Sequence, residues 1–282
     1  MQHIETIGVA GAGTMGSGIA QVTAAAGYKT ILYDLSAEML KKAEEDLQKT
    51  IRVLVEKQKI SEEKGRNILS NIKFTENLYD LKADLIIEAI LEQLVIKHSF
   101  FQSVAAINKP ETILATNTSS IPITQIAAKI PNPERVVGIH FFNPAPVMKL
   151  VEIISGVQTG ESIAKTCKTF IEGMGKTCVR AKDAPGFIVN RVARQYYVES
   201  LKILEENVAS FEDIDALMEC SGFKMGPFRL MDLIGVDTNF LVTQSIYNLF
   251  HHDGKFRPSR IQKQMVDAGL HGRKSGQGFY AY

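Results

Sequence analysis

The sequence predicts an α/β domain followed by a mainly helical one. Three observations predict this. Residues 4–10 form a short apolar run that breaks into Gly11-Ala12-Gly13-Thr14-Met15-Gly16-Ser17-Gly18 and continues as a helix. Further apolar, β-branched runs then alternate with helical patterns as far as residue 180. Beyond Asp183-Ala184-Pro185-Gly186 the texture changes, and helices appear with little strand. The boundary therefore separates an N-terminal domain over residues 1–183 from a C-terminal domain over residues 184–282.

The first helix reaches about Ala26, and Gly27 closes it, as a glycine just past a helix end does. Residues 30–33 read as the next strand, with Asp34 at its end, which completes a βαβ unit. Ser36 suits the cap of the following helix. Leu40, Ala43, Leu47 and Leu54 carry an apolar stripe through a Lys- and Glu-rich stretch that ends near Ile60. Ser61 starts a partner helix, so this charged pair reads either as a solvated hairpin or as a ligand-binding one. Buried strands are predicted over residues 84–88, 112–116, 136–142 and 149–154. A helix over 162–174 and a strand over 177–180 follow. In the second domain Ser210-x-x-Asp213 resembles a capping box. Pro227 fits a first helical turn, and Gly235 and Gly269 fit helix ends.

A chain of 282 residues suits two domains, and 45% apolar with 22% charged residues is an ordinary globular composition. The net charge of +1, from 32 basic and 31 acidic residues, offers no electrostatic case for nucleic acid or a membrane surface. No run of 18 apolar residues is present, and the opening Met1-Gln2-His3-Ile4-Glu5 lacks the pattern of a secretory leader. Cys167, Cys178 and Cys220 are odd in number and widely spaced, which argues against structural zinc and a disulfide framework. A reducing cytoplasm is the expected setting.

Gly11-x-Gly13-x-x-Gly16 alone is a weak signal, but here a strand precedes it, a helix follows, and an acidic residue ends the second strand. That is the Rossmann-like dinucleotide pattern. The first glycine makes the tight turn, the second lets the backbone approach a pyrophosphate, and the third allows close helix–strand packing. Asp34 would accept hydrogen bonds from an adenosine ribose and repel a 2′-phosphate, so NAD is favoured over NADP. The competing reading is a glycine-rich turn without a ligand.

Two apolar strands each carry one conspicuous polar residue, His140 after Val136-Val137-Gly138-Ile139 and Glu152 within Leu150-Val151-Glu152-Ile153-Ile154. A lone buried histidine is more often a satisfied core residue than a catalyst, and a lone buried carboxylate is costly unless paired. Two of them on neighbouring strands suggest that they satisfy each other. A carboxylate holding an imidazole suits a general base that takes a hydroxyl proton. Thr116-Asn117-Thr118-Ser119-Ser120 follows a buried strand, where open α/β sheets bind ligands. This cluster reads either as a substrate contact or as a turn and helix cap.

Taken with these, Gly11-Ala12-Gly13-Thr14-Met15-Gly16, Asn117-Thr118-Ser119-Ser120, His140-Phe141-Phe142-Asn143-Pro144, Pro185-Gly186-Phe187-Ile188-Val189-Asn190-Arg191, Met225-Gly226-Pro227 and the terminal Gly272-Arg273-Lys274-Ser275-Gly276-Gln277-Gly278-Phe279-Tyr280 resemble the 3-hydroxyacyl-CoA dehydrogenase family. Its single-function 3-hydroxybutyryl-CoA members are the nearest type. The match runs in order along essentially the whole chain. The resemblance implies a Rossmann-like NAD-binding domain followed by a mainly helical domain that forms a homodimer. It implies an acyl-CoA substrate, His140 as acid/base, Glu152 as its orienting partner, and Ser119 and Asn190 as substrate contacts. By the same matching Gly11, Gly13, Thr14, Met15, Gly16, Asp34, Glu92, Lys97, Asn117, Ser119, Asn143 and Lys274 belong to the NAD site. Thr50 and Lys57 match positions near CoA, where Lys57 would pair with a phosphate. Arg229 and Phe223-Lys224 depart from the family pattern and put acyl-chain preference in doubt. Two other readings stay open: a related hydroxy-acid or sugar-acid dehydrogenase of the gulonate type, and a crystallin-like relative without turnover. A metal-dependent alcohol dehydrogenase is disfavoured because cysteine and histidine ligands do not cluster.

Overall fold

A computed structural model describes residues 3–282; Met1 and Gln2, in the opening segment read above, lie outside the described residues. The chain divides into two compact units between Ala184 and Pro185.

The first unit is a Rossmann domain built on one eight-stranded sheet. Its strands are β1 (Thr6–Ala10), β2 (Lys29–Tyr33), β3 (Ile72–Thr75), β4 (Leu85–Glu88), β5 (Ile113–Thr116), β6 (Val136–Phe141), β7 (Leu150–Ser155) and β8 (Thr177–Lys182), in the order β3-β2-β1-β4-β5-β6-β7-β8. Every neighbouring pair is parallel except β6 with β7. The helices are α1 (Thr14–Ala25), α2 (Ala37–Glu56), α3 (Glu62–Ser70), α4 (Leu94–Ile107), α5 (Ile123–Ala127) and α6 (Glu161–Gly173). All residues of β4, β5 and β6 are buried, which is what near-continuous apolar runs require of central parallel strands.

Local signals account for most boundaries. Ser36 accepts from the Met39 N–H at 3.2 Å and Ser61 from the Lys64 N–H at 3.2 Å, so each serine caps its helix. Leu40, Ala43, Leu47 and Ile51 form the buried stripe of α2. Gly27 follows α1 with φ +92°. Strand β3 was not anticipated from the sequence. Its four residues, Ile-Lys-Phe-Thr, lie at the sheet edge, too short a run for alternation to declare itself.

The second unit holds α7 (Val189–Glu205), α8 (Phe211–Cys220), α9 (Pro227–Ile234), α10 (Val236–Leu249) and α11 (Arg260–Asp267). Ser210 accepts from the Asp213 N–H at 3.1 Å, Pro227 opens α9, and Gly235, at φ +102°, separates α9 from α10. Tyr197, Leu201, Ile214, Phe228 and Met231 form its core. The terminal segment is clamped by the buried Asp232 carboxylate, which accepts from the Phe279 and Tyr280 N–H groups at 3.0 and 2.9 Å. A Cβ on Gly278 would lie 2.0 Å from the Asp232 Oδ1, which explains a glycine in that segment. Among the described residues no helix is long and apolar enough to cross a membrane.

Candidate active site

The glycine turn sits where the strand order reverses between β1 and β4, the crevice in which open α/β sheets bind ligands. Gly11 has φ +99°, and a Cβ there would lie 2.6 Å from the Ala89 carbonyl oxygen. A Cβ on Gly16 would lie 1.7 Å from the Gly11 oxygen. The chain itself therefore demands both glycines. A Cβ on Gly13 would meet nothing within 4 Å, so no protein atom demands that glycine, whereas a closely approaching pyrophosphate would. Thr14 and Met15 open α1 directly after it, at the helix N-terminus that favours phosphate. The Asp34 carboxylate accepts from the Ala12 N–H at 2.7 Å and the Ser36 N–H at 3.0 Å, tying the end of β2 to the turn. A cavity of about 870 Å³ opens here, lined by Gly13, Tyr33, Asp34, Ile90, Val95 and Phe100 among others. The donors, the carboxylate and the apolar walls fit an adenosine diphosphate moiety.

Beside it lies a buried charge cluster. The Lys97 ammonium, 1% exposed, is 2.6 Å from Glu88 Oε1 and 3.1 Å from Glu92 Oε2. Glu88 also accepts from the Thr116 hydroxyl at 2.7 Å and the Ile90 N–H at 2.7 Å. Burial pushes the Glu88 carboxyl up from its ordinary value, and these three donors pull against it. Burial acts the same way on Glu92, but the Lys97 charge and the Thr118 and Ser120 hydroxyls outweigh it and hold that carboxyl below its ordinary value.

The serine- and threonine-rich loop has a division of labour that the sequence left open. Thr118 is the turn-former: its hydroxyl donates to Glu92 and its oxygen accepts from the Ile121 N–H at 2.9 Å. Ser119 donates its N–H to Glu92 at 3.2 Å, and its hydroxyl makes no hydrogen bond among the described residues. Asn117 accepts from the Phe141 N–H at 2.8 Å and so braces the end of β6 next to His140.

His140 and Glu152 are directly opposite in the antiparallel register of β6 and β7. Opposed residues share a face, and Nδ1 of His140 lies 2.8 Å from Glu152 Oε2. They are 6% and 1% exposed, so the carboxylate is taken out of water with a partner in place. The Phe142 ring lies 4.6 Å from the imidazole.

A second cavity, of about 520 Å³, is lined by Gly13, Thr14, Lys42, Thr50, Asn143 and Pro146 among others. It brings Thr50 of α2 and Asn143 together. Lys57, the C-cap of α2, is exposed and is not part of this lining. Lys42 is, and sequence reasoning missed it; its spacing from Met39, Asp46 and Thr50 along one helix face was the available signal. Glu88 was missed because a carboxylate ending an apolar strand reads simply as a strand end.

In the second unit Asn190 is half-buried in the first turn of α7. Lys274 lies 2.6 Å from the Asp237 carboxylate. Arg229 stacks on Tyr280 at 4.2 Å and lies 3.9 Å from Glu219. Phe223 stacks on Tyr196 at 4.8 Å, and Lys224 lines the same groove.

A glycine turn with an acidic residue at the end of the next strand, and a buried histidine–carboxylate pair on the same sheet, are the arrangement of a nicotinamide-dependent dehydrogenase. The chain belongs to the 3-hydroxyacyl-CoA dehydrogenase family. Residues 6–184 match the family's NAD binding domain and residues 186–282 its C-terminal domain. The chain is 47% identical to the 3-hydroxyadipyl-CoA dehydrogenase of Escherichia coli over 99% of its own length, and it spans 59% of that protein. It is 41% identical to the 3-hydroxybutyryl-CoA dehydrogenase of Bradyrhizobium diazoefficiens, covering 99% of this chain and 96% of the relative. The crystal structure of (S)-3-hydroxybutyryl-CoA dehydrogenase from Ralstonia eutropha superposes with a TM-score of 0.95 at 38% identity, covering 99% of each chain. NAD is the family's cofactor.

Proposed function

We propose that this chain interconverts short-chain (3S)-3-hydroxyacyl-CoA and 3-oxoacyl-CoA with NAD(H), and that His140 is the acid/base. The observation that carries this is the 2.8 Å contact between His140 Nδ1 and Glu152 on adjacent buried strands. NAD, held by the glycine turn and Asp34, would supply the acceptor for the hydride that leaves C3 of the hydroxyacyl substrate. Glu152 engages Nδ1 and fixes the tautomer, so exchange of the 3-hydroxyl proton falls to the other ring nitrogen. Ser119 supports the substrate oxygen with its unengaged hydroxyl, and Asn190 is a second substrate contact. Gly11, Gly13, Thr14, Met15, Gly16, Asp34, Glu92, Lys97, Asn117, Asn143 and Lys274 serve the cofactor. Thr50 serves CoA, and Lys57 reaches a CoA phosphate outside the cavity lining.

The enzyme works in the cytoplasm as a homodimer joined through its helical unit. Val192, Leu217 and Leu241 on that unit are 71%, 67% and 60% exposed, apolar surface that association would cover. Light scattering tests the dimer, and a monomer at micromolar concentration would overturn it.

The activity is tested by initial rates with acetoacetyl-CoA, a longer 3-oxoacyl-CoA and a free 3-oxo acid, each with NADH and NADPH. Acetoacetyl-CoA with NADH should give the highest kcat/KM. Preference for the free acid would replace this reading with a hydroxy-acid or sugar-acid dehydrogenase. No turnover with any pair would favour a non-catalytic relative.

A further inference from the structure

The geometry points to Glu88 as a positioning residue for the reaction, one that holds Lys97 for the cofactor and, through Glu92 and Thr116, sets the loop carrying Ser119.

Glu88 ends β4, is fully buried, and lies opposite Ala10 of β1 and Thr116 of β5. Its side chain joins three separate segments of the chain. Oε1 accepts from the Ile90 N–H at 2.7 Å, which shapes the turn that packs against Gly11. The same oxygen accepts from Lys97 of α4 at 2.6 Å. Oε2 accepts from the Thr116 hydroxyl at the end of β5 at 2.7 Å, and the Glu88 carbonyl accepts from the Asn117 N–H at 2.7 Å. Lys97 in turn engages Glu92 at 3.1 Å. The other Glu92 oxygen gathers the loop, accepting from Thr118, from the Ser119 and Ser120 N–H groups at 3.2 Å each, and from the Ser120 hydroxyl at 2.8 Å. An unbroken chain of ion pairs and charge-assisted hydrogen bonds thus runs from a buried strand end to the backbone of Ser119.

The plain alternative is a buried ion pair that only holds the fold together. Burying charges is a poor route to stability, since well-packed apolar residues of similar volume do as well or better. An apolar pair would not, however, present an ammonium and a second carboxylate at the carboxyl end of the sheet. With Glu88 ionised the trio of Glu88, Lys97 and Glu92 has one more negative than positive charge, which leaves Glu92 free to serve the loop as well as Lys97. Neutralising Glu88 makes Glu92 the only carboxylate of the trio, so Lys97 pulls it from the Ser119 and Ser120 N–H groups.

The inference rests on the functional reading of Ser119 for one arm of its test and not for the other. The full-length chain carrying Glu88→Gln is assayed for NADH affinity by fluorescence titration and for turnover with acetoacetyl-CoA, alone and combined with Ser119→Ala. The NADH Kd should rise about tenfold, the loss of one charge-assisted contact on a cofactor residue. The kcat should fall about tenfold in the native background and less than about threefold in the Ser119→Ala background, because residues acting as a unit are not additive. Thr116→Val removes a single donor to Glu88 and is the second variant should Glu88→Gln not fold. It should move both quantities in the same direction by about threefold, again with little further loss beside Ser119→Ala. Unchanged NADH affinity, or kcat losses that multiply in full with Ser119→Ala, would reduce Glu88 to a structural ion pair. If Ser119→Ala alone keeps its kcat, the reading of Ser119 falls, and the NADH titration still decides the role of Glu88.

Discussion

His140 on β6 and Glu152 on β7 face each other across the one antiparallel step of an otherwise parallel-paired sheet, with Nδ1 and Oε2 2.8 Å apart. The reversal puts the two strands in direct opposition, so a residue pair 12 positions apart in the chain meets side chain to side chain.

That contact predicts catalytic coupling. His140→Ala removes the proposed acid/base and should lower kcat by about 100-fold to 10,000-fold. Glu152→Ala leaves the imidazole with an unset tautomer. The double variant should be little slower than the slower single one. Steady-state rates for the three proteins decide it, and losses that multiply would show independent roles.

Ser119 and Thr118 should separate cleanly. The Ser119 hydroxyl has no protein hydrogen bond among the described residues, whereas Thr118 holds the Ile121 N–H and Glu92. Ser119→Ala should lower kcat by on the order of 100-fold with an unchanged melting temperature. Thr118→Ala should cost about 1 kcal/mol of stability. A lowered Tm with normal kcat in Ser119→Ala would return that residue to the role of a turn-former.

Cofactor choice should depend on the charge of Asp34. Its carboxylate also accepts from the Ala12 N–H at 2.7 Å, so removing the side chain disturbs the turn for any dinucleotide. Asp34→Asn keeps an acceptor oxygen and deletes the charge. The preference for NADH over NADPH, as a ratio of kcat/KM values, should drop about tenfold. An unchanged ratio would assign the discrimination elsewhere.

Glu92 gives a pH dependence of fixed sign. Its carboxyl is held below the ordinary value, so the folded state binds this proton less readily than the unfolded state. The stability this contributes is complete above the unfolded value of about 4.3 and is lost as pH falls through the folded value. At pH 7 Glu92→Gln should melt below the native protein, and the gap should close as pH falls below about 4. A gap that stays constant from pH 7 to pH 3 would show that the carboxylate charge is not what stabilises the loop.

Much of the architecture was legible because its signals are local. Gly11, Gly13 and Gly16 act within one turn, and Ser36, Ser61 and Ser210 cap helices whose first residues follow at once. The apolar stripe of α2 is a matter of spacing along one element. The change of texture near Pro185 is equally a property of neighbouring residues, and the chain divides there. The candidate pair of His140 and Glu152 was legible only as two polar residues that apolar strands could not leave unpaired.

Other features needed the tertiary structure, because hydrogen bonds between strands and helices depend on topology rather than on spacing. Strand β3 exists because β2 offers it an edge to pair with, not because Ile72–Thr75 has a strong pattern of its own. The register of β7 against β6, which decides that Glu152 meets His140, is fixed by the interstrand pairing that follows the turn at Asn143–Pro146. Nothing near Lys97 in the sequence says that Glu88 and Glu92 surround it, or that Glu92 reaches the Ser119 N–H 27 residues away. The sequence by itself determined which residues could do chemistry, since that depends on side-chain type and local backbone. Only the tertiary structure decided which of them are held by one another, since a buried charge is satisfied by whatever donor or acceptor the fold brings within about 3 Å.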